Sequence, residues 1–205
     1  MTGDDPYRMF LVVRKGAFAD LARAAELAGA AAVACVRRFE HDPAHAEAFA
    51  AWRPRPGKVC LRARTASQWE RVLASEPHAG SGIIAIPPRR RSERGPLLER
   101  LQAHSADLER PPKDAPRRAG AITYLLNPAA EMTSGKTLAQ VAHAAVMAAD
   151  SGRAEDWVAR GCPGRVLAPD ADAFAEAARG DLLACVEDAG LTEVAPGTVT
   201  VVALA

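Results

Sequence analysis

Seven short apolar runs, at residues 9–13, 58–63, 82–86, 121–126, 165–168, 182–186 and 198–204, alternate with longer alanine-rich stretches. Runs of four to seven residues bounded by turn signals read as strands, and strands that alternate with helical stretches predict an α/β layer arrangement. The helical stretches fall at 17–36, 42–51, 66–74 behind a Thr65 cap, 135–150, 155–160 and 171–178. The expected fold class is α/β: a three-layer α/β/α arrangement on a mixed four-stranded sheet, duplicated as two similar halves.

The duplication is read from three local matches in the same order. FLVVRKGA matches YLLNPAA, ELAGAAAVACV matches QVAHAAVMAAD, and PGKVCLRARTASQWERV matches PGRVLAPDADAFAEAA. The expected organisation is therefore a degenerate α/β half at 1–87, a basic helix and linker at 88–119, and a second domain at 120–205. The linker carries nine Lys and Arg against five Asp and Glu, and Leu97, Leu98, Leu101 and Leu108 give it a short amphipathic helix. Arg89, Arg90 and Arg91 at its start are the candidate phosphate or substrate contacts, with a solvated loop as the plain alternative.

Composition sets broad limits. With 49% hydrophobic residues, 25% charged and a net charge of +1, the chain has the balance of a soluble globular protein and no global charge that would mark nucleic acid, so any RNA site must be a local patch. The start, MTGDDPYRMF, has no basic segment leading into an apolar one, and the alanine-rich run at 24–36 is too short to span a bilayer. A cytoplasmic protein without membrane association is expected. Cys35, Cys60, Cys162 and Cys185 form no CxxC pair and read as reduced core thiols. His41 and His45 have helical ligand spacing, but Pro43 lies between them, and no metal site is expected.

The stretch TSGKTLAQVAHAAVMAA at 133–149 carries the chemistry. At about 100° per residue, Lys136, Gln140 and His143 fall within roughly 60° of one another, while Leu138, Val141, Ala142 and Ala145 lie on the other side. Thr133 or Ser134 is placed to cap the helix. Near the end of the chain, EDAGLTEVAPGTVTV places Asp188, Thr192 and Thr198 around Gly190, Pro196 and Gly197, in a loop between two strands. An ammonium, an amide, an imidazole, a carboxylate and hydroxyls suit hydrolysis of an ester by an activated water.

These two segments resemble, in order, the signature segments of the type II peptidyl-tRNA hydrolases, over about residues 120–205. The resemblance implies hydrolysis of the ester between a peptide and tRNA, with peptidyl-tRNA as partner and no metal or cofactor. It places the family's functional lysine, glutamine and histidine on Lys136, Gln140 and His143, and its aspartate and threonines on Asp188, Thr192 and Thr198. The role expected for His143 is to orient or deprotonate water with Asp188 as its partner, and for Lys136 to hold phosphate or steady negative charge. The strand of that family runs into an arginine and, two residues on, an aspartate, where this chain has Asn127 and Ala129. The alternative is a catalytically inactive RNA- or protein-binding regulatory relative. A monomer with pseudo-dimeric halves, or a homodimer, is expected. The SGKT stretch also resembles a phosphate-binding loop, but that motif needs glycine where this chain has Ala130.

Overall fold

The computed structural model describes residues 5–190 and 193–205. It contains two four-stranded mixed sheets and seven α-helices among those residues. In the first half, β1 (Arg8–Arg14), α1 (Leu21–Phe39), α2 (Ala46–Trp52), β2 (Lys58–Ala63), α3 (Ala66–Ser75) and β3 (Ile83–Arg89) are followed by α4 (Gly95–Glu99) and β4 (Gln102–Ala103). In the second, β5 (Ile122–Leu126), α5 (Ser134–Asp150), α6 (Glu155–Ala159), β6 (Gly164–Leu167) and α7 (Ala171–Ala177) are followed by β7 (Ala184–Glu187) and β8 (Val199–Leu204).

The halves share one wiring. β1 runs parallel to β2 and antiparallel to β3; β5 runs parallel to β6 and antiparallel to β8. Side-chain detail repeats too. Trp52 donates its indole N–H to Gly57 O, and Trp157 to Pro163 O, each at 2.8 Å and each just ahead of the second parallel strand. The fourth strand differs: β4 adds to the free edge of β2, giving the order β3-β1-β2-β4, whereas β7 adds beside β8, giving β6-β5-β8-β7.

The two sheets are held face to face by α1 and α5, which lie between them. Met9, Leu11 and Val13 from β1, Ile122, Tyr124 and Leu126 from β5, and the buried sides of both helices form one central cluster. Each large apolar side chain buried there contributes about 1.5–3 kcal/mol, so this shared core, rather than a surface contact, joins the halves. Small residues let the helices approach: a Cβ added at Gly29 would lie 3.2 Å from the Cβ of Ala145. Phe10, Val12, Leu61 and Val72 form the outer core of the first sheet, and Leu125, Leu167, Phe174 and Val202 that of the second. Each sheet is thus the middle of an α/β/α sandwich, and the sandwiches share their inner helical layer.

Both inner helices start from the same strap. Ser134 Oγ donates to Ala106 O, and Leu21 N donates to Glu109 O at 3.0 Å. Their far ends meet at Arg53, whose guanidinium joins Glu40 to Asp150. They therefore run side by side in one direction, and the ends of β1 and β5 that feed them lie on the same side of the molecule.

The segment between the halves departs from expectation. Its helix stops at Glu99, because the chain turns at Arg100 to pair Gln102 and Ala103 with β2; Leu108 packs on the central core instead of extending an amphipathic helix. The chain at 112–115 is laced to β6 through Ala168 N to Pro112 O, 2.9 Å, and Arg165 to Ala115 O. The first long helix begins at Leu21 rather than near residue 17, since Asp20 is extended and its carboxylate accepts Ala22 N–H at 2.7 Å. No described helix is long and apolar enough to cross a membrane. The four cysteines are free, and burial pushes the Cys60 thiol up to about 12 and Cys162 to about 11.

Candidate active site

The sheet positions one carboxylate over the inner helix. β7 runs alongside β8 and ends at Glu187, so Asp188 is the first residue beyond the ladder, with its N–H bonded to Thr198 O at 2.9 Å. Its Oδ2 accepts from Lys136 Nζ and from Gln140 Nε2, one helical turn apart on α5, and its Oδ1 accepts Gly190 N–H at 2.8 Å. Asp188, Gln140 and the Lys136 stem are largely buried. Burial opposes the Asp188 charge, but the Lys136 ammonium, the Gly190 N–H and the Gln140 amide outweigh it and hold the carboxyl below the usual carboxylate range. A buried carboxylate with three donors is a fixed, ionised group at neutral pH.

Local chemistry sets the helix start. Thr133 is extended and its hydroxyl accepts Lys136 N–H, so α5 begins with a side-chain cap. The Glu193 carboxylate takes both Thr133 N–H and Thr133 Oγ–H, each at 2.8 Å, tying the 188–197 loop to the positive end of the helix. Asn127 ties the other loop: its Nδ2 donates to Val199 O at 2.6 Å, and its Oδ1 accepts Ala129 N–H at 2.9 Å. Two glycines are required by contact. A methyl group at Gly135 would overlap the His104 carbonyl oxygen of the strap, and one at Gly190, where φ is +73°, would overlap the Pro196 ring.

The expected residues are brought together in part. Lys136, Gln140 and Asp188 form one hydrogen-bonded cluster. His143 lies on the same helical face, half-buried, but makes no hydrogen bond among the described residues: the partner expected for it, Asp188, is occupied by Lys136 and Gln140 and reaches it only through its field. Burial and then the Lys58 ammonium push the His143 imidazole down to about 3 against the Asp188 charge, so the ring is neutral at physiological pH. Thr198 holds the loop: its hydroxyl donates to Ala195 O at 2.7 Å and its carbonyl receives Asp188 N–H. Thr192 lies outside the described residues. Arg89, Arg90 and Arg91 lie elsewhere. Arg89 pairs with Arg8 at the start of β1, the end opposite to the one from which α1 and α5 begin. It is bound to Glu76 at 2.8 Å; Arg90 lies over the Tyr7 ring, and Arg91 N–H meets the Asp5 carboxylate.

Two participants were not singled out from sequence. Glu193 sits in a loop where an acidic residue is ordinary, and only the fold carries it back to Thr133. Lys58 lies some eighty residues ahead of His143 in sequence and reaches it because β2 packs on α5.

A mixed-sheet α/β half with a lysine, a glutamine and an aspartate locked together at the start of its inner helix is the class of protein that the fold and the cluster define. Residues 123–205 match the family model described as peptidyl-tRNA hydrolase PTH2. The match begins in β5 and runs through β8, so it contains every member of the cluster and leaves out the first half. No curated protein and no solved structure matches the chain.

Proposed function

We propose that the second half hydrolyses the ester joining a peptide to the ribose of tRNA, with Lys136, Gln140, His143, Asp188, Thr192 and Thr198 as its working residues. The observation that carries this reading is the convergence of Lys136 and Gln140 on Asp188 across the sheet edge, inside the segment that matches the family. In the proposed reaction a water oxygen attacks the ester carbonyl, negative charge develops on the carbonyl oxygen, and the ribose oxygen leaves with a proton. Asp188 stays ionised and holds Lys136 and Gln140 in fixed positions, so their N–H groups stand ready beside the developing charge without reorganisation. His143, neutral and without a hydrogen bond among the described residues, orients the water through its ring nitrogen. With an imidazole held near 3 it is a weak proton store, so it positions the water rather than keeping its proton.

The test is release of peptide from a peptidyl-tRNA by the purified chain. His143→Ala is expected to slow it by about a hundredfold, in the range for loss of one acid-base or orienting group; an unchanged rate in His143→Ala and Asp188→Asn would sink the assignment. The second reading, an RNA-binding relative without activity, is favoured by Asn127 and Ala129, where the resembled family carries charges. It predicts tRNA binding with no release of peptide by the wild type.

A further inference from the structure

A pocket of about 390 Å³ lies where the linker reaches the start of β5, within the size range of ligand sites. It stands at the end of the second sheet opposite to the Asp188 cluster. Thr123, on its lining, pairs with Leu204, whereas Leu126 pairs with Val201 and Asp188 follows the last residue of β7.

Four guanidinium groups border this pocket: Arg117 and Arg118 from the end of the linker, Arg153 from the turn after α5, and Arg160 from the end of α6. A Cβ at Gly120, where φ is +72°, would lie 2.5 Å from Arg160 Nη1, so Arg160 rests on the turn that carries the linker arginines. Two of the four are held in place. Arg118 Nη1 donates to Gly164 O at 3.1 Å and lies 3.6 Å from the Glu26 carboxylate, and Arg153 is paired with Asp181 at 2.5 Å. Arg117 and Arg160 are exposed, and neither guanidinium has a hydrogen bond or ion pair among the described residues. Asp156, in the first turn of α6, and Ala205 line the pocket with them. A guanidinium keeps its proton at any physiological pH, so an anion, and not loss of a proton, relieves the crowding of like charge.

The floor reads no base. Ile122, Trp157 and Leu183 are buried and apolar towards the pocket, since the Trp157 indole N–H is given to Pro163 O, and the Thr123 hydroxyl already accepts from Arg165. Contacts limited to fixed cations over an apolar floor suit the phosphates of a nucleic-acid backbone, which position a chain without reading its sequence. Ile122 and Leu126 are about 13 Å apart along β5, so one tRNA can reach both ends of the sheet.

We infer that this pocket is a second contact surface for RNA, in which Arg117 and Arg160 each take a backbone phosphate while the ester lies at the far end of the sheet. This rests on the proposed tRNA substrate. Arg117 belongs to the linker, ahead of the segment that matches the family, so the linker takes part in holding the substrate.

The experiment measures equilibrium binding of deacylated tRNA to the full chain over a range of salt, and cleavage of peptidyl-tRNA, for wild type, R117Q/R160Q, R117K/R160K and R71Q/R100Q. The last removes two exposed arginines of the first half and so reports the loss of charge alone. Losing two phosphate contacts is expected to weaken binding by about thirtyfold near 0.1 M salt and to reduce the slope of log affinity against log salt by about 1.4–1.8. R117Q/R160Q should raise KM by a similar factor with little change in kcat, R117K/R160K should recover most of the slope, and R71Q/R100Q should stay close to wild type. If the double variant fails to fold by circular dichroism, R117Q alone takes its place, with a slope change of about 0.7–0.9. An unchanged affinity and slope in R117Q/R160Q overturns the inference, as does an equal loss in R71Q/R100Q. So does calorimetric binding of a nucleoside monophosphate that R117Q/R160Q loses while keeping the wild-type affinity for tRNA, which marks a small-molecule site. A reduced slope in R117Q/R160Q with no cleavage by the wild type overturns the hydrolase reading alone, whereas a wild type that does not bind tRNA overturns both.

Discussion

The two inner helices begin alike and end in different chemistry. Aligning the caps, Asp20 on α1 with Thr133 on α5, puts Arg23 in the place of Lys136, Leu27 in that of Gln140 and Ala30 in that of His143. Arg23 is exposed and pairs with Glu26 on its own helix at 3.1 Å. Leu27 and Phe18 both lie over Gly82, so where the second half has a polar cluster the first has apolar side chains. The deeper difference is in the sheets. Asp188 exists as a site because β7 lies beside β8, whereas among the described residues of the first half that side of β3 carries only an isolated bridge, Ala79 to Ala85. Its added strand, β4, covers the opposite edge. A polar helix face becomes a site only when the sheet delivers a group to meet it.

The largest effect that would sharpen this contrast is expected from Asp188→Ala. Removing one partner of a buried ion pair costs about 3–5 kcal/mol, whereas Arg23→Ala in the first half costs about 0–1 kcal/mol. Urea denaturation of both variants checks this, and equal losses would break the comparison. Next comes Gly135→Ala, where the new methyl must displace the strap at His104; about 1–3 kcal/mol of overpacking is expected, with slower cleavage. The equivalent first-half position is already Ala22, and Ala22→Gly should lose only about 1 kcal/mol of helix propensity. Leu27→Gln, which copies the second half into the first, should cost about 1–3 kcal/mol for an unpaired amide against Phe18 and add no hydrolysis, as no carboxylate waits there; a gain in activity would show that the helix face suffices.

A pH series gives a fourth test. His143 is held down to about 3 in the folded chain and titrates near 6.5 when unfolded, so its contribution is complete above 6.5 and is lost as pH falls from 6.5 towards 3. His143→Gln should therefore flatten the acid side of the stability curve in that window, read from melting temperatures; Ala30 gives the first half no such dependence. The smallest effect is expected from Glu193→Gln, which weakens two hydrogen bonds at the α5 cap by roughly 0.5–1 kcal/mol each and should raise KM more than it lowers stability.

Much of this was legible in the sequence because it is local. Strand and helix periods, the Thr133 and Thr65 caps, the stripe of Lys136, Gln140 and His143, and the likeness of the halves follow from spacings within a single turn or pleat. The pairing of Trp52 and Trp157 was missed, since the shared feature is a bond to the backbone and not a shared word in the sequence. The Leu97 to Leu108 helix was misread because the spacing of apolar residues there records two different packing surfaces.

Sequence alone determined the α/β class, the two halves and which side chains share the α5 face, since these depend on residues close along the chain. Only the tertiary structure decided that Asp188 binds Lys136 and Gln140 instead of His143, that Arg89 stands at the far end, and that β2 of the first half packs on α5. Those outcomes depend on which edge of each sheet takes the fourth strand, a choice between nearly equal hydrogen-bonding edges that is settled by packing over the whole molecule and leaves no local mark.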